Sequence, residues 1–151
     1  MRRFLMGAML TAASCVAIAR AAEEAPSLDS ESVKSGRAIY GQHCASCHGA
    51  NAQGAPDWTR RDEHGELPAP PHNAEGHTWR HSDAMLYEMV VKGWRDPFNK
   101  TKRLTMPAFG DALSAEQIRA VITYLKTLWT PEQRGYQSEE NRSQPFPHQT
   151  P

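Results

Sequence analysis

The sequence predicts an all-α domain, and three observations support this fold class. Apolar residues recur at helical spacing in 113–129, and shorter stretches with the same pattern occupy 29–44 and 82–92. No run of alternating or β-branched residues indicates a sheet. A chain of 151 residues is at most one ordinary domain.

The N-terminal segment has the features of a secretory signal. Arg2 and Arg3 precede an apolar and small-residue run, and the Ala-Arg-Ala sequence at 19–21 matches a cleavage site, which predicts a signal peptide over 1–21 and a short linker over 22–28. An uncleaved membrane anchor and a lipoprotein attached through Cys15 are the alternatives. The run is short for a spanning helix, and Cys15 lacks the leucine expected three residues before it. We expect a periplasmic protein with no stable membrane insertion after cleavage.

Removal of 1–21 changes the charge of the chain. It takes away three arginines and no acid, so the 17 basic and 17 acidic residues become 14 and 17, a formal charge of −3. An acidic protein of this kind is a poor general binder of nucleic acid. Cleavage also removes Cys15 and leaves two cysteines, Cys44 and Cys47.

The first predicted helix, 29–44, has Ser30 or Ser32 as its expected N-cap. Gly36 lies in its interior, where glycine is costly unless another element approaches closely. The last predicted helix is the expected neighbour, because Ser114 and Gln117 match a capping box at its start and it carries a broad apolar face. That face is formed by Ile118, Val121, Ile122, Leu125, Leu128 and Trp129.

Residues 44–48 read Cys-Ala-Ser-Cys-His, so Cys44 and Cys47 are three positions apart and His48 follows directly. A zinc site would need a second pair of ligands at matching spacing, a thioredoxin-like site would need an α/β pattern, and a disulfide over so short a loop would stabilise little. The remaining chemistry is covalent haem attachment. Two thiols one helical turn apart can each add to a haem vinyl group, and His48 follows where its ring can reach the iron. We therefore predict one covalently bound haem c.

The second axial position of the iron needs another ligand. Met106 stands next to Pro107 in an irregular stretch, and a stiff loop presents a thioether to a fixed point better than a helix face does. Met85 and Met89 lie on the predicted helix 82–92, where packing is the simpler interpretation. Met106 is therefore the predicted sixth ligand, with His48 as the fifth.

The remaining segments have few helical features. Residues 49–82 are rich in Gly, Pro, Asn and Asp and read as a long ordered loop around the cofactor, and 131–151 read as a flexible tail. The loop histidines could form a copper site, but solvated side chains are the simpler interpretation. These histidines are His64, His72, His77 and His81.

On these motifs, the chain resembles a class I c-type cytochrome of the bacterial periplasmic kind over 29–130. The resemblance implies a fold in which the first and last helices cross around the haem. It implies that Cys44, Cys47, His48 and Met106 bind the haem and its iron.

The resemblance further implies several contacts. Gly36 and Tyr40 would pack on Val121 and Tyr124 of the last helix. A proline carbonyl would orient His48, and among Pro68, Pro70 and Pro71 we expect Pro70. Trp79 resembles the family's indole donor to a haem propionate, although a packing role is equally consistent.

The implied function is single-electron transfer between periplasmic or membrane-bound redox proteins, because a six-coordinate iron has no open site for catalysis. We expect no enzyme activity of its own. The alternative is a haem subunit of a periplasmic dehydrogenase or oxidase, or a ligand-binding haem protein. A cluster of cations ahead of Met106 is a candidate docking surface for an acidic partner. It contains Lys92, Arg95, Lys100, Lys102 and Arg103.

Overall fold

The protein is described by a computed structural model over residues 27–144. The predicted signal peptide and nearly all of the linker 22–28 lie outside the described residues. Within 27–144 there is no strand, only an isolated bridge between Trp94 and Met106, which confirms the all-α fold class. The helices are α1 Ser30–His43, α2 Ala45–His48, α3 Asp83–Lys92, α4 Ala115–Lys126 and α5 Pro131–Ser143, with a 3₁₀ turn at Thr78–Arg80.

The N-cap residue of α1 lies one position before the first of the two predicted candidates. The N-cap is Asp29, whose carboxylate accepts a hydrogen bond from the Ser32 backbone N–H at 2.7 Å, so the prediction of Ser30 or Ser32 was wrong. A carboxylate at this position satisfies a free N–H group and also interacts favourably with the helix dipole.

Helices α1 and α4 cross at Gly36. A Cβ atom at Gly36 would lie 1.9 Å from the Ala120 carbonyl oxygen and 3.0 Å from the Tyr124 Cβ, so only glycine permits this approach. One turn later the rings of Tyr40 and Tyr124 pack with centroids 5.4 Å apart. The predicted crossing is confirmed, with Ala120 rather than Val121 at the closest point. The surrounding core includes Ile39, Leu86, Leu113, Ile118, Val121, Ile122, Leu125 and Trp129.

Helix α4 has the predicted capping box, since the Ser114 hydroxyl accepts from the Gln117 backbone and the Gln117 side chain accepts from the Ser114 backbone. The helix ends at Lys126, earlier than the apolar pattern indicated. Trp129 lies beyond the helix yet is only 5% exposed, and its indole N–H donates to the His72 carbonyl oxygen at 2.9 Å.

The prediction of a flexible tail over 131–151 was wrong for the part that the structure describes. Thr130 and Gln133 form a second capping box, and Pro131 occupies the first turn of α5. Gln137, 2% exposed, donates to the Asp83 carboxylate at 2.6 Å. Asp83 in turn forms an ion pair with Lys126 at 2.6 Å. A polar helix is thus fixed to the core by a satisfied internal network, which composition does not reveal.

Helix α3 begins after the Ser82 cap and ends before Gly93, as predicted. Residues 49–82 form an irregular loop interrupted only by the 3₁₀ turn, which also agrees with the prediction. Between residues 27 and 144, no helix is both long and apolar enough to span a bilayer.

Candidate functional site

The two cysteines lie on one tight helical turn directly after α1. Cys44 donates its backbone N–H to the Tyr40 carbonyl at 2.9 Å and accepts from the His48 backbone N–H at 2.9 Å, so α2 continues the direction of α1. Both thiols are free. Burial, and secondarily the neighbouring Cys47, raises the pKa of Cys44 to about 11. At neutral pH the side chain of Cys44, before any attachment, is therefore a thiol rather than a thiolate.

His48 is buried and its ring is oriented by a single backbone group. The ring Nδ1 lies 2.8 Å from the Pro70 carbonyl oxygen, and because a carbonyl can only accept, Nδ1 is the donor. The predicted choice of Pro70 is confirmed. Burial lowers the pKa of His48, partly opposed by this hydrogen bond. The neutral ring then presents an unprotonated Nε2, and no described residue hydrogen-bonds to it.

The loop that carries Pro70 is packed tightly against the attachment turn. Gly54 has φ of +74°, and a Cβ there would lie 2.5 Å from the Pro71 nitrogen. The Gly54 N–H donates to the His48 carbonyl at 2.8 Å, and the Ala55 N–H donates to the Ala69 carbonyl at 2.9 Å. These bonds fix the Pro70 carbonyl relative to the His48 backbone.

His72 belongs to the site, which the sequence interpretation missed. Its ring stacks on the His48 ring with centroids 4.0 Å apart and planes inclined by 29°. Burial, and secondarily the neighbouring histidines His48 and His77, lowers the pKa of His72 well below its usual range. The only signal in the sequence was its position two residues after Pro70. Within 27–144, no group of three His, Cys, Asp or Glu residues is arranged to hold a metal ion.

Met106 lies, half-buried, in a loop that is tied to the end of α3. Its backbone exchanges two hydrogen bonds with Trp94, each 3.0 Å long. Gly93 allows the close approach, since a Cβ there would lie 2.7 Å from the Met106 carbonyl oxygen. After the methionine, the Phe109 N–H donates to the Val90 carbonyl at 2.9 Å. The thioether is thus carried by a fixed loop, as the neighbouring Pro107 indicated.

Two buried carboxylates, each bound by an arginine, join the loop before Met106 to the loop 57–67. Glu66 is bound by Arg103 at 2.5 Å, and Asp96 is bound by Arg61 at 2.6 Å. Hydrogen bonds from Arg103, followed by one from Thr101, lower the pKa of Glu66 to about 2. We call these two ion pairs the loop clasp.

Fewer residues of the predicted cation cluster are unpaired than the sequence indicated. Arg103 is paired with Glu66, and Lys92 is paired with Glu88. Within the described chain, the cations of this cluster that lack a carboxylate partner are Arg95, Lys100 and Lys102. The same loop exposes large apolar side chains, with Trp94 43%, Phe98 72% and Leu104 48% exposed.

Trp79 makes contacts within the protein. Its indole N–H donates to the Gly76 carbonyl oxygen at 3.0 Å, and its ring meets Tyr136 of α5 edge-on at 5.5 Å. These contacts support the packing interpretation of Trp79 over the propionate donor. His43, the last residue of α1, packs edge-on against Phe109, with ring centroids 6.3 Å apart.

The chain is similar to known haem proteins. The family model described as Cytochrome c matches residues 33–129. The chain is 27% identical over 104 residues to the Cbb3-type cytochrome c oxidase subunit FixP of Sinorhizobium medicae strain WSM419, covering 68% of this chain and 32% of that protein. It is 29% identical over 104 residues to FixP of Bradyrhizobium sp. strain ORS 278, covering 67% of this chain and 32% of that protein. The chain thus spans about a third of the length of these relatives.

A solved structure is also similar. Cytochrome CL from the marine methylotrophic bacterium Methylophaga aminisulfidivorans MPT matches with a TM-score of 0.46 at 18% identity, covering 82% of this chain and 71% of that one. The family match covers more than half of the chain and includes the attachment turn, the Met106 loop, most of α1 and all of α4. Proteins of this family carry covalently bound haem c and transfer electrons through its iron. The chain therefore belongs to the cytochrome c family, as a class I c-type cytochrome.

Proposed function

We propose that this protein is a periplasmic single-electron carrier with one haem c, whose iron is held by His48 and Met106. Cys44 and Cys47 would form the two thioether bonds. The observation that carries the proposal is the state of His48: its Nδ1 donates to the Pro70 carbonyl, so the neutral ring keeps its lone pair on Nε2. A histidine fixed in this tautomer is ready to bind a metal.

The residues present suit a haem in their chemistry. Imidazole and thioether are the donor pair that gives haem iron a raised reduction potential, and bound haem supplies an iron that gains or loses one electron. The chain's own contribution is rigidity. His48 is held by Pro70, and Met106 is held by its backbone bonds to Trp94, so neither donor has to move when the charge changes.

The sixth coordination position of the iron distinguishes an electron carrier, in which Met106 would occupy it, from a ligand-binding haem protein. We expect ferrous protein to resist carbon monoxide, and Met106→Ala to bind it readily and to have a lower reduction potential. Met85→Ala is the matched control, because Met85 is an exposed residue of α3, 38% exposed. Rapid stoichiometric binding by the parent would rule out a closed-site carrier. Haem staining on a denaturing gel checks attachment, which the double variant Cys44→Ala, Cys47→Ala should abolish.

A second candidate function is that of a haem subunit within a membrane oxidase. The similarity to FixP, which is named as an oxidase subunit, favours it. Detergent-solubilised membranes of the native organism distinguish the two functions. A carrier would be released by a salt wash, whereas a subunit would co-purify with other haem-containing chains in fixed ratio.

The partners of the carrier would be periplasmic or membrane-bound redox proteins. The surface formed by Arg95, Lys100 and Lys102, together with the exposed Trp94 and Phe98, combines unpaired positive charge with apolar area beside the Met106 loop. Such a surface suits a partner with an acidic rim, since complementary charge speeds encounter and apolar contact supports a short-lived complex. The periplasmic location rests on the predicted signal peptide over 1–21.

A further inference from the structure

The ring of His72 lies against the ring of His48, and the proposed function has not yet used it. The centroids are 4.0 Å apart and the planes are inclined by 29°. Aromatic rings at this separation are in face-to-face contact. His72 therefore touches the residue that would hold the iron.

One hydrogen bond does not fix the plane of the His48 ring. The bond from Nδ1 to the Pro70 carbonyl, 2.8 Å long, holds one edge of the ring and leaves rotation about the bond direction open. A flat side chain packed on the ring face opposes that rotation, because a tilt would press the two rings together. Pro70 and His72 thus restrain different motions of the same ring.

His72 is held by contacts from three separate parts of the chain. Its backbone N–H donates to the Ala52 carbonyl at 2.8 Å, and its carbonyl accepts from the Trp129 indole at 2.9 Å. These two bonds fix its backbone. Its ring Nδ1 lies 2.8 Å from the Thr78 hydroxyl oxygen, which fixes the rotation of the ring. Thr78 is only 4% exposed, so water does not compete for this contact.

We propose that His72 is a positioning residue that sets the plane of the His48 imidazole, with Thr78 setting His72. This proposal rests on the proposed function, since it takes His48 as an iron ligand. Neighbours of a metal ligand orient that ligand and tune the metal. The angle of an axial imidazole plane over the haem contributes to the magnetic anisotropy of ferric iron, together with the orientation of the other axial ligand, which makes the proposal measurable apart from electron-transfer activity.

The experiment compares ferric holoprotein of the parent and four variants by electron paramagnetic resonance and by proton NMR of the haem methyl groups. We expect His72→Leu and Thr78→Val to shift the g values and redistribute the methyl resonances. His72→Phe restores a flat ring and should return both signals towards those of the parent. His64→Leu is the control, because His64 is an exposed loop histidine that does not contact His48.

The possible outcomes are distinct. Parent-like g values and methyl shifts in both His72→Leu and Thr78→Val would overturn the proposal, even if those variants were less stable. If His72→Leu does not accumulate as holoprotein, Thr78→Val decides, since valine keeps the shape of threonine and removes only the hydroxyl. A parent protein without covalent haem on a denaturing gel would refute the proposed function itself, before any variant is compared.

Discussion

Replacing Gly36 with alanine should separate the two crossing helices. The added Cβ would lie 1.9 Å from the Ala120 carbonyl oxygen. Close carbon–oxygen contacts in proteins are about 3.3 Å, so one helix would have to move by about 1.4 Å. Overpacking of this kind costs about 1–3 kcal/mol, and alanine returns only about 0.5–1 kcal/mol through its better helix propensity. Because the clash is with a backbone carbonyl that cannot rotate away, the upper end of this cost applies, and we expect a net loss of about 2 kcal/mol in the free energy of unfolding.

Helix α1 supplies its own control at Gly41, where an added Cβ meets nothing within 4 Å. Gly41→Ala should therefore stabilise the protein by about 0.5–1 kcal/mol, because it improves helix propensity without a clash. Denaturant unfolding of the holoproteins, followed by far-ultraviolet circular dichroism, measures both variants. A Gly36→Ala protein that unfolds at the same denaturant concentration as the parent, or at a higher one, would show that α1 and α4 do not cross at this residue.

Two further predictions concern charge. Glu66 has its pKa lowered in the folded state from 4.5 to about 2, so its contribution to stability is fully present above pH 4.5 and is lost as the pH falls towards 2. The stability of the parent should therefore fall more steeply over this range than that of Glu66→Gln, whereas Glu63→Gln, at a side chain 87% exposed, should follow the parent. Lys100→Glu with Lys102→Glu should slow electron transfer to membranes of the native organism at low salt and leave the reduction potential nearly unchanged. A charge-matched reversal on α1, Lys34→Glu with Arg37→Glu, should have less effect, and an equal effect would place the docking surface elsewhere.

Elements specified by neighbouring residues were predictable from the sequence. The capping box of α4 depends on Ser114 and Gln117, which are three residues apart, and the Cys-Ala-Ser-Cys-His turn is equally local. The N-cap of α1 was misassigned because three candidates within four residues, Asp29, Ser30 and Ser32, are all of a type that favours this position. Only the backbone geometry distinguishes them.

Features that depend on distant residues were not predictable in the same way. Helix α5 is rich in Gln, Glu and Ser, a composition typical of disorder, and its attachment relies on Gln137 reaching Asp83 across 54 residues of sequence. The pairing of Arg103 with Glu66 likewise spans 37 residues. His72 resembled the other loop histidines until the fold placed its ring on His48. In each case a single amino-acid sequence does not indicate which distant side chains will be in contact.

The crossing of α1 and α4 has a consequence for the order of folding. About 70 residues separate the end of α1 from the start of α4. The entropy of closing such a loop grows only slowly with length, by about 0.6 kcal/mol per doubling, but the closure must precede the contacts that reward it. All four predicted haem-binding residues lie before Ala115, so a fragment ending there would contain Cys44, Cys47, His48 and Met106 and still lack the helix on which α1 packs. We expect such a fragment to remain unfolded, because the binding residues and the core that holds them in place are encoded in different parts of the chain.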